Sequence, residues 1–120
     1  MARNRKSAKA AGTWLESAMT KCLKKELNNP NIERLRTAGA NDRGDIGNVR
    51  LPNGELLAVE CKNAGGTFSV GTWLVEAERE RINYGAAASV VIAKRRGTTD
   101  PLEQVVITTV RDLIEMIGDK

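Results

Sequence analysis

Histidine is absent from this chain, and cysteine occurs only at Cys22 and Cys61. Two thiols cannot furnish a Cys/His zinc centre, and acid–base or nucleophile schemes built on imidazole are excluded. Aromatic residues are as scarce, limited to Trp14, Phe68, Trp73 and Tyr84, so a row of stacking platforms for single-stranded nucleic acid is not expected. The longest apolar run, Ala86 to Ala93, is far short of the roughly 20 residues that cross a bilayer, and no signal-peptide pattern is visible. These absences lead to the expectation of a reduced, cytoplasmic protein with neither a membrane nor a small-molecule cofactor as partner.

What is present fits one domain. The chain has 120 residues, 41% of them hydrophobic, enough to build a core without covalent staples. Net charge is +4, and the excess gathers at Arg3, Arg5, Lys6 and Lys9. Residues 1–9 therefore read as a flexible basic arm suited to a polyanion, although a short basic tail can also be merely solvated. Helical period is clear from about Ser7 to Asn28, where Ala11, Leu15, Met19, Cys22, Leu23 and Leu27 form an apolar stripe with Lys21, Lys24 and Lys25 opposite. The remaining pattern predicts a strand over 32–37, a hairpin, a helix over 71–84, strands over 89–94 and 104–109, and a helix over 110–117. The sum is an α/β domain with a central mixed sheet flanked by helices.

The hairpin carries the chemistry. Asn53-Gly54 is a strong turn signal flanked by Val49, Leu51, Leu57 and Val59. A two-residue turn there pairs Gly47 with Glu60 and Asp45 with Lys62, which puts Asp45, Glu60 and Lys62 on one face; a three-residue loop or a bulge would flip that parity. Gly47 would leave space beside Glu60. Two carboxylates at a gap suit Mg²⁺ or Mn²⁺, which take hard oxygen ligands and keep several waters. Asp45 and Glu60 would hold the metal, with the Cys61 carbonyl as a further ligand, and Lys62 would orient the attacking water or stabilise charge developing on a phosphate. Glu-x-Lys also fits any half-exposed amphipathic strand; the Gly-Asp step at hairpin distance is what raises it. Glu16 falls on the apolar side of the first helix, a poor place for a carboxylate unless it faces the metal site or reaches a cation at the edge of the stripe.

On these residues the chain resembles the PD-(D/E)XK nuclease superfamily, and within it the archaeal-type and phage Holliday junction resolvases. Gly12-Thr13-Trp14-Leu15-Glu16 is similar to the first motif, Gly44-Asp45-Ile46 to the second and Val59-Glu60-Cys61-Lys62 to the third. Gly44 replaces the proline of the superfamily's name, and Cys61 stands where an aliphatic residue is usual. The resemblance implies a restriction-endonuclease-like domain over 1–120 and a metal-dependent endodeoxyribonuclease with Glu16, Asp45, Glu60 and Lys62 as catalytic residues. It implies branched double-stranded DNA as partner and four-way junctions as substrate. Flap, nicking or restriction-type nucleases and non-catalytic DNA-binding relatives share the same core and stay open as alternatives. Related nucleases often carry a Gln or Glu near the metal on the helix after the third motif, which adds Glu76, although Glu76, Arg79, Glu80 and Asn83 also read as a surface salt-bridge face.

Loops supply the remaining candidates. The stretch 37–44 is small and polar, its glycines allow close backbone approach to a phosphate, and Arg43 is a candidate clamp. Lys94, Arg95 and Arg96 extend a cationic surface or form an ordinary charged loop. Symmetric cleavage of a junction calls for two equivalent sites, so a homodimer is expected. Trp73, Leu74, Val75 and Ile82 make the helix over 71–84 its candidate interface.

Overall fold

The computed structural model describes residues 4–36 and 39–118. Helix α1 spans Arg5–Glu26 and α2 spans Val70–Tyr84, with α3 at Val110–Ile117. The strands are β1 (Glu33–Arg34), β2 (Ile46–Gly47), β3 (Leu57–Lys62), β4 (Ala88–Ala93) and β5 (Val105–Ile107). They form one five-stranded sheet in sequential order. All neighbours are antiparallel except β3 and β4, which run parallel and are joined through α2. The expected α/β domain with a mixed sheet is therefore what the chain forms.

Alternation along the central strands builds the two cores. Val59 and Cys61 of β3 and Val90 and Ile92 of β4 pack with Leu15 and Met19 of α1, while Val91 and Ala93 pack with Trp73 and Ala77 of α2. Since side chains alternate between faces, Glu60 and Lys62 stand on the α2 face. This parity decides which helix completes the site.

The hairpin reaches that parity by a route different from the expected one. Leu51 N donates to Glu55 O at 2.8 Å and Gly54, at φ +88°, donates to Leu51 O, so the loop holds three residues rather than two. Leu57 N donates to Val49 O, yet Ile46 pairs with Val59. Gly47 and Asn48 thus oppose the single residue Ala58, a bulge at which Asn48 takes φ +66°. Each irregularity flips the face and the two cancel. The register is displaced by two residues, so Asp45 stands level with Glu60, not with Lys62, and Gly47 is not opposite Glu60. Nor is Gly47 a gap: a Cβ there would lie 2.6 Å from Leu35 Cδ2.

Other boundaries shift for local reasons. The segment expected to be an arm is helical from Arg5, because the Asn4 side chain caps Ser7 N at 2.8 Å. Arg5, Lys6 and Lys9 are exposed on the first turns of α1, and Arg3 lies outside the described residues. Leu27, expected in the apolar stripe, is the C-cap and is 52% exposed. The strand expected over 32–37 shortens to β1, and Thr37 and Ala38 lie outside the described residues. β5 loses its ends to side-chain bonding: Gln104 bonds Arg95 N and the Thr98 and Asp100 carbonyls, and Thr109 caps α3. No helix among the described residues is long and apolar enough to cross a membrane.

Candidate metal centre

Asp45 is fixed by backbone at both ends. Its N donates to Val59 O at 2.8 Å, and its Oδ2 accepts from Cys61 N at 2.7 Å. The preceding Gly44 takes φ +96°, and a Cβ there would sit 2.8 Å from Val59 O. Proline, fixed near −65°, cannot adopt that backbone, which accounts for the glycine at this step. A strand residue's N–H and C=O point the same way, so the Cys61 carbonyl also faces the Asp45 side. The Cys61 thiol instead faces the α1 core, where burial pushes its pKa up.

Around Glu60 the carboxylates converge. The Asp45 and Glu60 carboxyls are within hydrogen-bonding reach of each other, as are those of Glu60 and Glu80. Asp42, Glu60 and Glu80 each offer an oxygen, all within 4.8 Å of one another. Glu80 is 2% exposed, and its Oε2 is buried with no hydrogen-bond partner among the described residues. Two ionised carboxylates cannot donate to each other, so this cluster is satisfied only by a shared proton or by a cation.

Acidity follows from that geometry. Burial, then the hydrogen bond and charge of Glu60, push the Asp45 carboxyl up to about 8, against the pull of the Cys61 amide. Burial likewise raises Glu60 to about 8, with Glu80 adding and Asp45 and Lys62 opposing. Burial also raises Glu80, helped by Asp42 and Asp45. Glu16 rises through burial and the Asp45 charge, with Arg34 opposing.

The cations are few. Lys62 Nζ is 2.7 Å from Glu76 Oε2 and 3.9 Å from Glu60 Oε2. Burial disfavours its charge, but Glu76 and Glu60 outweigh that and raise its pKa. Lys62 therefore stays an ammonium at neutral pH. Arg34 Nη2 meets Glu16 Oε1 at 3.0 Å. Thus Glu16 sits in the field of Asp45 but is already paired with an arginine of β1.

The structure brings Asp45, Glu60 and Lys62 together at one end of the sheet and adds Glu76 through its bond to Lys62. Glu80 and Asp42 were missed. The expected place of Glu80 is a solvated salt-bridge face; it lies instead with buried Trp73 and Ala77 and half-buried Tyr84 on the inward stripe of α2, a position that the helical spacing 73, 77, 80, 84 carries in the sequence. Asp42 had no comparable signal. Its loop is held to α2 by Asn83 Nδ2, which donates to Ala40 O and Asp42 O at 2.9 and 3.0 Å. Arg43 lies over the Tyr84 ring, 5.7 Å from its centroid. Lys94, Arg95 and Arg96 lie beyond the end of β4.

The donor set fits a hard divalent cation: carboxylates only, one oxygen orphaned, and a flanking ammonium. Compared with protein-family models, curated proteins and solved structures, the chain finds no significant match.

Proposed function

We propose that the protein is a metal-dependent endodeoxyribonuclease that hydrolyses phosphodiesters in branched DNA, with four-way junctions as its preferred substrate. The observation that carries this reading is the clustering of Asp42, Glu60 and Glu80 within 4.8 Å of one another around a buried Glu80 oxygen that has no hydrogen-bond partner among the described residues, with half-buried Asp45 and the Lys62 ammonium beside Glu60. Asp45 and Glu60 would hold Mg²⁺ or Mn²⁺, with Glu80, Asp42 and the Cys61 carbonyl as the further oxygens within reach. A cation bound there supplies Lewis-acid charge and lowers the pKa of a coordinated water toward neutrality.

The protein's own groups divide the remaining work. Lys62, kept protonated by Glu76 and Glu60, is an electrostatic partner for negative charge developing on the phosphate rather than a base. Glu76 is a positioning residue that aims the ammonium. Glu16, held by Arg34, adds negative charge at the α1 side of the site. Arg5, Lys6, Lys9 and Arg43 are exposed cations available to the DNA backbone.

Paired symmetric cuts require two sites, and α3 offers the surface for a homodimer. Val110, Leu113, Ile114 and Ile117, at spacing i, i+3, i+4, i+7, are exposed by 45–75% while Asp112 faces inward. On α2, by contrast, Trp73 is buried and Val75 and Ile82 are the strongly exposed apolar residues. A cytoplasmic location and a role in DNA recombination or repair belong with this reading.

A non-catalytic DNA-binding relative is favoured by one observation, the 2.7 Å bond that already engages Lys62 with Glu76. Incubation of wild type and Glu60→Gln with end-labelled junction, matched duplex and flap, in Mg²⁺ and in EDTA, separates the readings. Paired nicks on the junction that vanish in EDTA and in the variant are expected. Equal cleavage of flap or duplex would remove the junction preference, and tight binding without cleavage would leave the non-catalytic relative.

A further inference from the structure

Past Lys62 from the carboxylate cluster lies a concave feature of opposite charge. A cavity of about 320 Å³ is bounded by Trp14 and Ala11 of α1, Asn63 just after β3, and Lys94, Arg95 and Arg96 just after β4. Among the described residues no carboxylate lines it and none of the three cations is in an ion pair. Trp14 is 39% exposed, in contrast to the chain's other tryptophan, Trp73, at 7%. The Lys94 and Arg95 side chains donate only to the Arg95 and Glu103 carbonyls, so an exposed indole edge beside three cations that meet no carboxylate among the described residues suits a ligand that is both planar and anionic.

The walls are tied to the candidate metal centre through backbone. Asn63 adjoins Lys62 in sequence, and its Nδ2 donates to Ala11 O at 3.0 Å, fixing the turn of α1 that carries Trp14 against the end of β3. Lys94 N donates to Lys62 O at 3.0 Å. Arg96 Nε donates to Gly65 O at 3.0 Å, and its side chain crosses the space that a Cβ on Gly66 would fill. Its terminal nitrogens make no hydrogen bond to described residues, which leaves their fork free for a phosphate.

We infer that this cavity is a nucleotide subsite, in which the base of one unpaired nucleotide of a DNA substrate stacks on Trp14 while its phosphate is held by Arg95 and Arg96. The inference rests on the nuclease reading, and it gives that reading a source of structure selectivity. A base inside an intact duplex presents no face to the indole, whereas a nucleotide in a single-stranded arm, or one whose pair opens at a branch point, does. Arginine and an aromatic ring together make the kind of platform on which a base stacks without regard to its identity.

The test uses Trp14 emission. In EDTA, so that nothing is cut, Trp73→Phe is titrated with matched duplex, four-way junction and a flap carrying a single-stranded arm. Should Trp73→Phe fail to fold, the wild-type signal minus that of Trp14→Phe reports the same residue. Saturable quenching by flap or junction and none by duplex is expected, with Trp14→Ala weakening binding to those substrates about tenfold and Trp14→Phe restoring most of it. Saturable binding with unchanged Trp14 emission, or undiminished affinity in Trp14→Ala, overturns the subsite. Cleavage in Mg²⁺ is read separately on the same substrates: cleavage with a silent Trp14 removes the subsite alone, and quenching without cleavage removes the nuclease reading alone.

Discussion

Glu80 and Asp112 are both buried carboxylates, 2% and 5% exposed, yet their surroundings are opposite. Asp112 of α3 is met by donors: Ser89 N and Ser89 Oγ reach its Oδ2 at 3.0 and 3.2 Å, which fastens the helix to β4. Glu80 of α2 is met by other carboxylates, Glu60 and Asp42, in the field of Asp45, and one of its oxygens has no partner among the described residues. Burial of charge is therefore no mark of function by itself. What separates a structural carboxylate from a candidate ligand is whether the protein supplies the compensating donors or leaves that to something bound.

The largest effect expected from this contrast is on activity. Glu60→Gln and Asp45→Asn should each cut Mg²⁺-dependent cleavage about a thousandfold or more, measured on labelled junction, while Asp112→Asn in its folded fraction should cleave at nearly the wild-type rate. Stability should respond the other way. Asp112→Ala strands the Ser89 amide and should cost about 1–3 kcal/mol in denaturant unfolding. A loss as large from Glu80→Gln without metal would break the contrast.

The pH dependence of the metal-free protein has a defined sign. Asp45 and Glu60 titrate near 8 in the fold, well above the ordinary carboxylate value near 4 of the unfolded chain. The folded state therefore binds more protons between those values, so the stability these groups contribute is complete below about pH 4 and is lost as pH rises through about 8. The metal-free melting temperature should be higher at pH 5 than at pH 9, and Asp45→Asn with Glu60→Gln should flatten that slope. The smallest effect sharpens the same point: Glu80→Gln removes one repelling charge and places an amide donor beside Glu60, which should stabilise the metal-free protein by up to about 1 kcal/mol at pH 8.

How legible all this was in the sequence varied with the physics involved. The helix over 110–117 was readable to the residue because Thr109 caps it and Val110, Leu113, Ile114 and Ile117 keep a strict helical spacing. The mixed sheet followed from alternating segments. Asp45 and Glu60 were placed on one face, but through two opposite errors: the three-residue loop at Pro52–Gly54 and the bulge at Gly47–Asn48 each invert the face, and neither is encoded by alternation alone. Glu80 was misplaced because a glutamate on an apolar stripe is read as solvated until a partner strand, here β3 with Glu60, is known to lie across from it. Asp42 depends on a loop held by Asn83, a contact spanning some forty residues that local pattern cannot carry.

The most direct test of the account is binding of Mn²⁺ itself, without DNA, followed calorimetrically at pH 7.5 for wild type, Asp45→Asn, Glu60→Gln, Glu80→Gln and Asp112→Asn. Saturable binding with proton release is expected in the wild type, with loss in Asp45→Asn and Glu60→Gln, weakening in Glu80→Gln, and no change in Asp112→Asn. Absence of binding in the wild type, or binding indifferent to Asp45 and Glu60, would contradict it.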